Sequence, residues 1–134
     1  MVLNPGRKIK KVSWKKIQEL VDTLSLAIAN DEKRIKEYNS IYGVPRNGQI
    51  VAVLLSYKTG IPIATEYILN ENTIIVDDIL DSGNTLQNFV SLKNHINIKN
   101  LDTATLFYRK GSKFIPTYSI EDAKDKWILM PWEE

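Results

Sequence analysis

Ile74-Ile75-Val76-Asp77-Asp78-Ile79-Leu80-Asp81-Ser82-Gly83-Asn84-Thr85 is the stretch on which the reading of this chain turns. An apolar, β-branched run ends in two adjacent carboxylates, and a loop of small polar residues then opens a helix. In a parallel α/β sheet, ligands bind at the carboxyl ends of the strands, so Asp77 and Asp78 would face a crevice. The loop 81–85 would aim free backbone N–H groups and the positive end of a helix dipole at one spot, which is how proteins hold phosphate. Acids able to take up a diol, set beside a phosphate cradle, suit a phosphorylated sugar.

Outward from that stretch, strand and helix patterns alternate. Ser13 reads as an N-cap, and Trp14, Ile17, Leu20, Val21, Leu24 and Ile28 recur at helical spacing to about Asn30. Residues 40–44 read as a first short strand and 49–57 as a mostly apolar, buried helix ending near Gly60. Residues 61–64 read as a second strand, with Pro62 at an edge or strand start. The third covers 73–76, a helix covers 85–96, a fourth strand 103–108 and a last short one 127–130. Strands alternating with helices imply βαβ units and a largely parallel sheet. Arg7, Lys8, Lys10 and Lys11 make residues 1–12 a basic arm, read as solvated rather than as a nucleic-acid surface.

A second strand-to-helix turn, Gly43-Val44-Pro45-Arg46-Asn47-Gly48, lies at the same edge of the expected sheet. Its glycines permit close backbone approach, and Arg46 offers a fork of donors matched to phosphate oxygens. Two anion-binding turns beside two carboxylates are much more specific than either alone.

Bulk properties narrow the function classes. The 134 residues fit one domain (1–134) with a sizeable core; 43% are hydrophobic, 25% charged, and the net charge is +2. That charge does not argue for nucleic acid. With no cysteine, disulfides and thiolate zinc sites are excluded. His95 stands alone, remote from any nucleophile motif, and is assigned a surface or packing role rather than a place in a catalytic triad. No segment approaches the roughly 20 apolar residues that span a bilayer, and no apolar run follows the basic N-terminus as in a secretory signal. The expectation is a cytoplasmic protein without a membrane partner.

The window 76–85 resembles the signature of the type I phosphoribosyltransferases: a hydrophobic strand, Asp-Asp, two apolar residues, then Asp-Ser/Thr-Gly-x-Thr. Two further stretches resemble the bacterial xanthine-guanine (6-oxopurine) group, namely Thr105-Leu106-Phe107-Tyr108-Arg109-Lys110 and Asp125-Lys126-Trp127-Ile128-Leu129-Met130-Pro131-Trp132-Glu133. The resemblance implies the type I phosphoribosyltransferase fold, a mainly parallel twisted sheet flanked by helices, with a short C-terminal base-recognition segment. It also implies transfer of a 5-phosphoribosyl group from phosphoribosyl pyrophosphate to a 6-oxopurine, with Mg²⁺ as cofactor and a homodimer or homotetramer as the assembly.

Carried onto this chain, the family's roles fall as follows. Arg46, Asn47 and Gly48 would hold pyrophosphate, in a loop that often contains a non-proline cis peptide. Asp77 and Asp78 would bind the ribose hydroxyls, with Asp78 also holding Mg²⁺. Ser82, Gly83, Asn84 and Thr85 would grip the 5-phosphate, and Asp81 would serve as general base. Trp127 would stack on the purine, Ile128 would read its edge through the main chain, and Arg109 or Lys110 would meet its exocyclic oxygen. One departure stands out: only residues 65–72 join the second and third strands, where the family usually has a long lid. Transfer to another base, or a non-catalytic sensor of phosphoribosyl pyrophosphate or nucleotides using the basic arm, are the alternative readings.

Overall fold

Apolar residues buried at successive positions, such as Ile74, Ile75 and Val76, build the sheet that carries the site. The computed structural model describes residues 6–65, 69–80, 101–112 and 115–134. Along them run β1 (Lys8–Lys11), α1 (Trp14–Ala29), β2 (Ser40–Gly43), α2 (Asn47–Thr59), β3 (Thr73–Leu80), β4 (Asp102–Tyr108), β5 (Tyr118–Asp122) and β6 (Lys126–Leu129). Strands β2-β3-β4-β5 form a sheet in that order, and each neighbouring pair is parallel. The expected α/β architecture is therefore present.

Ile41, Ile74, Val76, Ala104 and Leu106 point from β2, β3 and β4 into one core. Ile17, Leu20, Val21, Leu24 and Ile28 of α1 and Val51, Ala52 and Leu55 of α2 meet them there. Burying each large aliphatic side chain contributes about 1.5–3 kcal/mol. The α1 stripe needs a defined start, and the Ser13 hydroxyl supplies it by accepting from the Lys16 N–H at 3.1 Å. Gly60 ends α2 in the left-handed conformation, its N–H donating to the Ser56 carbonyl at 2.8 Å. Among the described residues, no helix is long and apolar enough to cross a membrane.

Polar groups tie the amino edge of the sheet, away from the candidate site. Arg34 donates to both Asp102 carboxylate oxygens at 2.6 and 2.7 Å, and the Tyr38 hydroxyl donates to Asp102 at 2.5 Å. Tyr118 donates to Asp31 at 2.7 Å, and burial pushes its hydroxyl pKa up to about 12.

Several expectations are corrected. The basic arm is not a solvated tail over its whole length: residues 8–11 are β1, which pairs in parallel with β6 in the register Ile9↔Trp127. Lysines obscured the strand because they reach outward to acids, as Lys10 does to Glu121 at 3.2 Å. That pairing spans more than a hundred residues, so no local pattern announces it. Residues 61–64 make only a parallel bridge, Ile41↔Ile63. Strand β3 does not stop at Val76 but runs to Leu80, and β5 was missed altogether. Helix α2 starts at Asn47 and leaves Val53 and Tyr57 exposed. The helix expected at 85–96, with His95, lies outside the described residues.

Candidate active site

Register brings the second turn to the carboxylates. Strand β2 ends with Gly43 opposite Val76, while β3 continues for four more residues, Asp77 to Leu80. The Val44 N–H adds one more bond, to the Val76 carbonyl at 2.9 Å. The chain then passes through a cis peptide between Pro45 and Arg46 and enters α2 at Asn47. The first turn of α2 lands beside Asp77 and Asp78.

Glycine is required at both ends of the turn. A Cβ on Gly48 would stand 2.5 Å from the Val76 carbonyl oxygen and 3.2 Å from an Asp77 carboxylate oxygen. A Cβ on Gly43 would stand 2.5 Å from the Gly48 carbonyl oxygen. The helix start is thus pressed against the strand by backbone contact, at a distance no side chain allows. Arg46, at the N-cap, is exposed and makes no side-chain capping bond. With no acidic residue in the first turn of α2, the dipole there favours an incoming anion.

Among the described residues, three hydrogen bonds hold the carboxylates. The Asp78 N–H donates to Asp77 Oδ1 at 2.8 Å, and the Ile79 N–H donates to Asp78 Oδ1 at 2.9 Å. Asn47 Nδ2 donates to Asp78 Oδ2 at 3.0 Å, and Asn47 Oδ1 accepts from the Trp132 indole N–H at 3.0 Å. Burial, followed by the neighbouring Asp78 charge, raises the Asp77 pKa well above the usual carboxylate value.

The oxygen donors fit Mg²⁺ chemically. This ion commonly takes one or two carboxylates and completes its shell with water and substrate phosphates. Asp77 and Asp78 supply that minimum; among the described residues no cluster of three or more acidic, His or Cys groups is found.

A second group forms around the C-terminal segment. Arg109, just past β4, donates to the Lys124 and Lys126 carbonyls, both at 2.7 Å. Its guanidinium thereby holds the backbone that leads into Trp127. Lys110 is largely exposed, with Asp122 3.8 Å away. Arg109 and Lys110 line a cavity of about 340 Å³ with Tyr108, Ser112 and Ser119. Trp127 and Ile128 lie on β6, with Ile128 buried, and the buried Trp127 indole nitrogen has no hydrogen-bond partner among the described residues. A larger hollow, about 560 Å³, opens on the other flank of the turn between Pro45, Gln49, Ile63 and Thr65. Neither Asp77 nor Asp78 lines it, so its size does not make it the reactive crevice.

The structure therefore brings Asn47, Gly48, Asp77 and Asp78 together, and separately joins Arg109 to the segment that carries Trp127. Asp81, Ser82, Gly83, Asn84 and Thr85 lie outside the described residues. Trp132 is the contact that sequence reasoning missed. Its only signal was chemical, since a partly buried indole N–H needs an acceptor.

Comparison with known proteins bears on the family and the fold. A family model for the phosphoribosyl transferase domain matches residues 25–133. Hypoxanthine-guanine phosphoribosyltransferase of Dictyostelium discoideum is 26% identical over 76% of this chain, which spans about half (53%) of that relative's length. Xanthine-guanine phosphoribosyltransferase of Cereibacter sphaeroides is 23% identical over 96% of this chain and 89% of the relative. The crystal structure of a purine phosphoribosyltransferase from Pyrococcus horikoshii superposes with a TM-score of 0.73 at 24% identity, covering 95% of both chains, a likeness of fold.

Proposed function

The chain belongs to the phosphoribosyl transferase domain family, and from that premise we propose that it moves the 5-phosphoribosyl group of phosphoribosyl pyrophosphate onto a 6-oxopurine, releasing pyrophosphate. The observation that carries the reading is the Gly48 backbone packed against Val76 and Asp77, with Asn47 bonded to Asp78. It joins an anion-binding turn to a pair of sugar-binding acids.

In this reading Arg46 and the amides at the start of α2 receive the pyrophosphate as it departs. Donors already aimed at developing negative charge are the most effective form of stabilisation in such a site. Asp77 and Asp78 accept from the ribose hydroxyls, and Asp78 is the residue assigned to Mg²⁺. The bound ion would neutralise pyrophosphate oxygens as the glycosidic bond breaks. By the family pattern, Ser82, Gly83, Asn84 and Thr85 grip the 5-phosphate, so that binding energy from the remote phosphate orients the reacting carbon. Asp81 takes the proton from the base nitrogen.

For the base, Trp127 supplies a stacking surface, Ile128 its main chain, and Lys110 the donor to the exocyclic oxygen. Both Arg109 bonds to carbonyls favour Lys110 in that role, with Arg109 holding the segment in place. The relatives named for xanthine, guanine and hypoxanthine support a 6-oxopurine as acceptor.

Base-dependent release of pyrophosphate tests the proposal. With Mg²⁺ and phosphoribosyl pyrophosphate present, adding guanine, xanthine or hypoxanthine should start the release. Asp81→Asn should lower turnover at least tenfold while the sugar diphosphate still binds. Release that is indifferent to every base would end the reading.

A further inference from the structure

The Trp132 side chain lies remote in sequence from Asp78, yet a single amide separates the two. A 3-10 turn at Pro131–Glu133 carries Trp132, fastened where the Met130 N–H donates to Glu133 Oε1 at 2.9 Å. The indole packs against Trp14, ring centres 5.6 Å apart. Its N–H donates to Asn47 Oδ1 at 3.0 Å, and Asn47 Nδ2 donates to Asp78 Oδ2 at 3.0 Å.

The direction of this chain of bonds is dictated by chemistry. An indole nitrogen donates and never accepts, so the amide face turned toward it must be oxygen. The opposite face, turned toward Asp78, must then be the NH₂ group. Without the indole, Asn47 keeps its bond to Asp78 but loses the second bond that pins the amide plane. Trp132 and Asp78 thus hold Asn47 in one orientation, with its NH₂ group donating to the Asp78 carboxylate.

We propose that Trp132 is a positioning residue that acts through Asn47 on Asp78, and so sets affinity for the Mg²⁺ complex of a sugar diphosphate that it does not itself touch. This rests on the phosphoribosyltransferase reading above. It gives the C-terminal turn a role in holding the sugar substrate, beyond any role of the same segment toward the base.

Calorimetric titration of the full chain with Mg²⁺ and phosphoribosyl pyrophosphate tests it. The variants are Trp132→Phe, Asn47→Ala and both together. Trp132→Phe should weaken binding roughly three- to tenfold, the size of one lost hydrogen bond, and leave KM for the base unchanged. The double variant should bind no worse than Asn47→Ala alone, because both remove the same link. Benzothienylalanine at position 132 keeps the bicyclic shape and replaces only the N–H; it should reproduce the loss even if Trp132→Phe folds poorly. Wild-type affinity in the benzothienyl protein, or penalties that add in the double variant, would overturn the proposal. A wild-type chain that binds no sugar diphosphate would instead overturn the phosphoribosyltransferase reading and take this role with it.

Discussion

Asn47 and Asp78, at the start of α2 and near the end of β3, are joined side chain to side chain at 3.0 Å, so the turn and the acids form one unit. Replacing the amide with a carboxylate keeps an acceptor for Trp132 but faces Asp78 with a like charge. Asn47→Asp should therefore weaken phosphoribosyl pyrophosphate binding by on the order of tenfold or more, since a charged group loses its donor and gains a repulsion. KM for the sugar diphosphate, measured at neutral pH, is the check.

Gly48→Ala should be among the most damaging small substitutions in the chain. The new Cβ would meet the Val76 carbonyl at 2.5 Å, and a strand backbone cannot move aside as a flexible side chain can. A loss of about 1–3 kcal/mol in unfolding free energy is expected from overpacking of this kind. Denaturant titration measures it, and a variant as stable as wild type would mean the turn is not pressed against β3.

Asp77 sets stability against function. Its folded pKa is raised by burial and by Asp78, so the folded state binds a proton more tightly than the unfolded state does. The sign follows: ionising Asp77 costs stability above the unfolded carboxylate value, and the cost grows as pH rises toward the folded value. Asp77→Asn removes that cost, and its amide oxygen can still accept from the Asp78 N–H. Without ligand, the variant should melt above wild type at neutral pH, and the difference should vanish in acid below the ordinary carboxylate range. Activity should fall with loss of the ribose contact proposed for Asp77.

Arg109→Lys should affect the base rather than the sugar diphosphate. One ammonium cannot reproduce the planar fork that reaches both the Lys124 and Lys126 carbonyls. The segment leading into Trp127 loses an anchor, so KM for the purine should rise by roughly fivefold or more, in line with one or two lost charge-assisted bonds. KM for phosphoribosyl pyrophosphate should stay close to wild type. Steady-state kinetics with each substrate varied in turn separates the two effects.

The parallel sheet was legible because β3 opens on the apolar run Ile74-Ile75-Val76, β4 closes on Leu106-Phe107-Tyr108, and α1 carries an uninterrupted stripe from Ile17 to Ile28. The turn 43–48 was legible from its glycines, and these proved to be backbone contacts at Val76 and Gly48. Less visible were elements whose partners lie far along the chain. Lys8–Lys11 alternates too weakly to read as a strand and gains its identity from β6. Tyr118–Asp122 is an edge strand, half-buried throughout, without an apolar run of its own. The motif points to Arg109 or Lys110 for the base, whereas the two Arg109 bonds to main-chain carbonyls depend on a turn in which Lys124 takes a positive φ of 54°. A sequence motif names residue types, whereas donor and acceptor pairing depends on how distant segments meet.

Incubation of the protein with phosphoribosyl pyrophosphate, Mg²⁺ and a panel of purine and pyrimidine bases, followed by mass analysis of the products, tests the central claim most directly. The account predicts a nucleoside monophosphate from one or more of guanine, xanthine and hypoxanthine, together with an equal amount of pyrophosphate. No nucleotide from any base, under conditions where the sugar diphosphate is shown to bind, would contradict it.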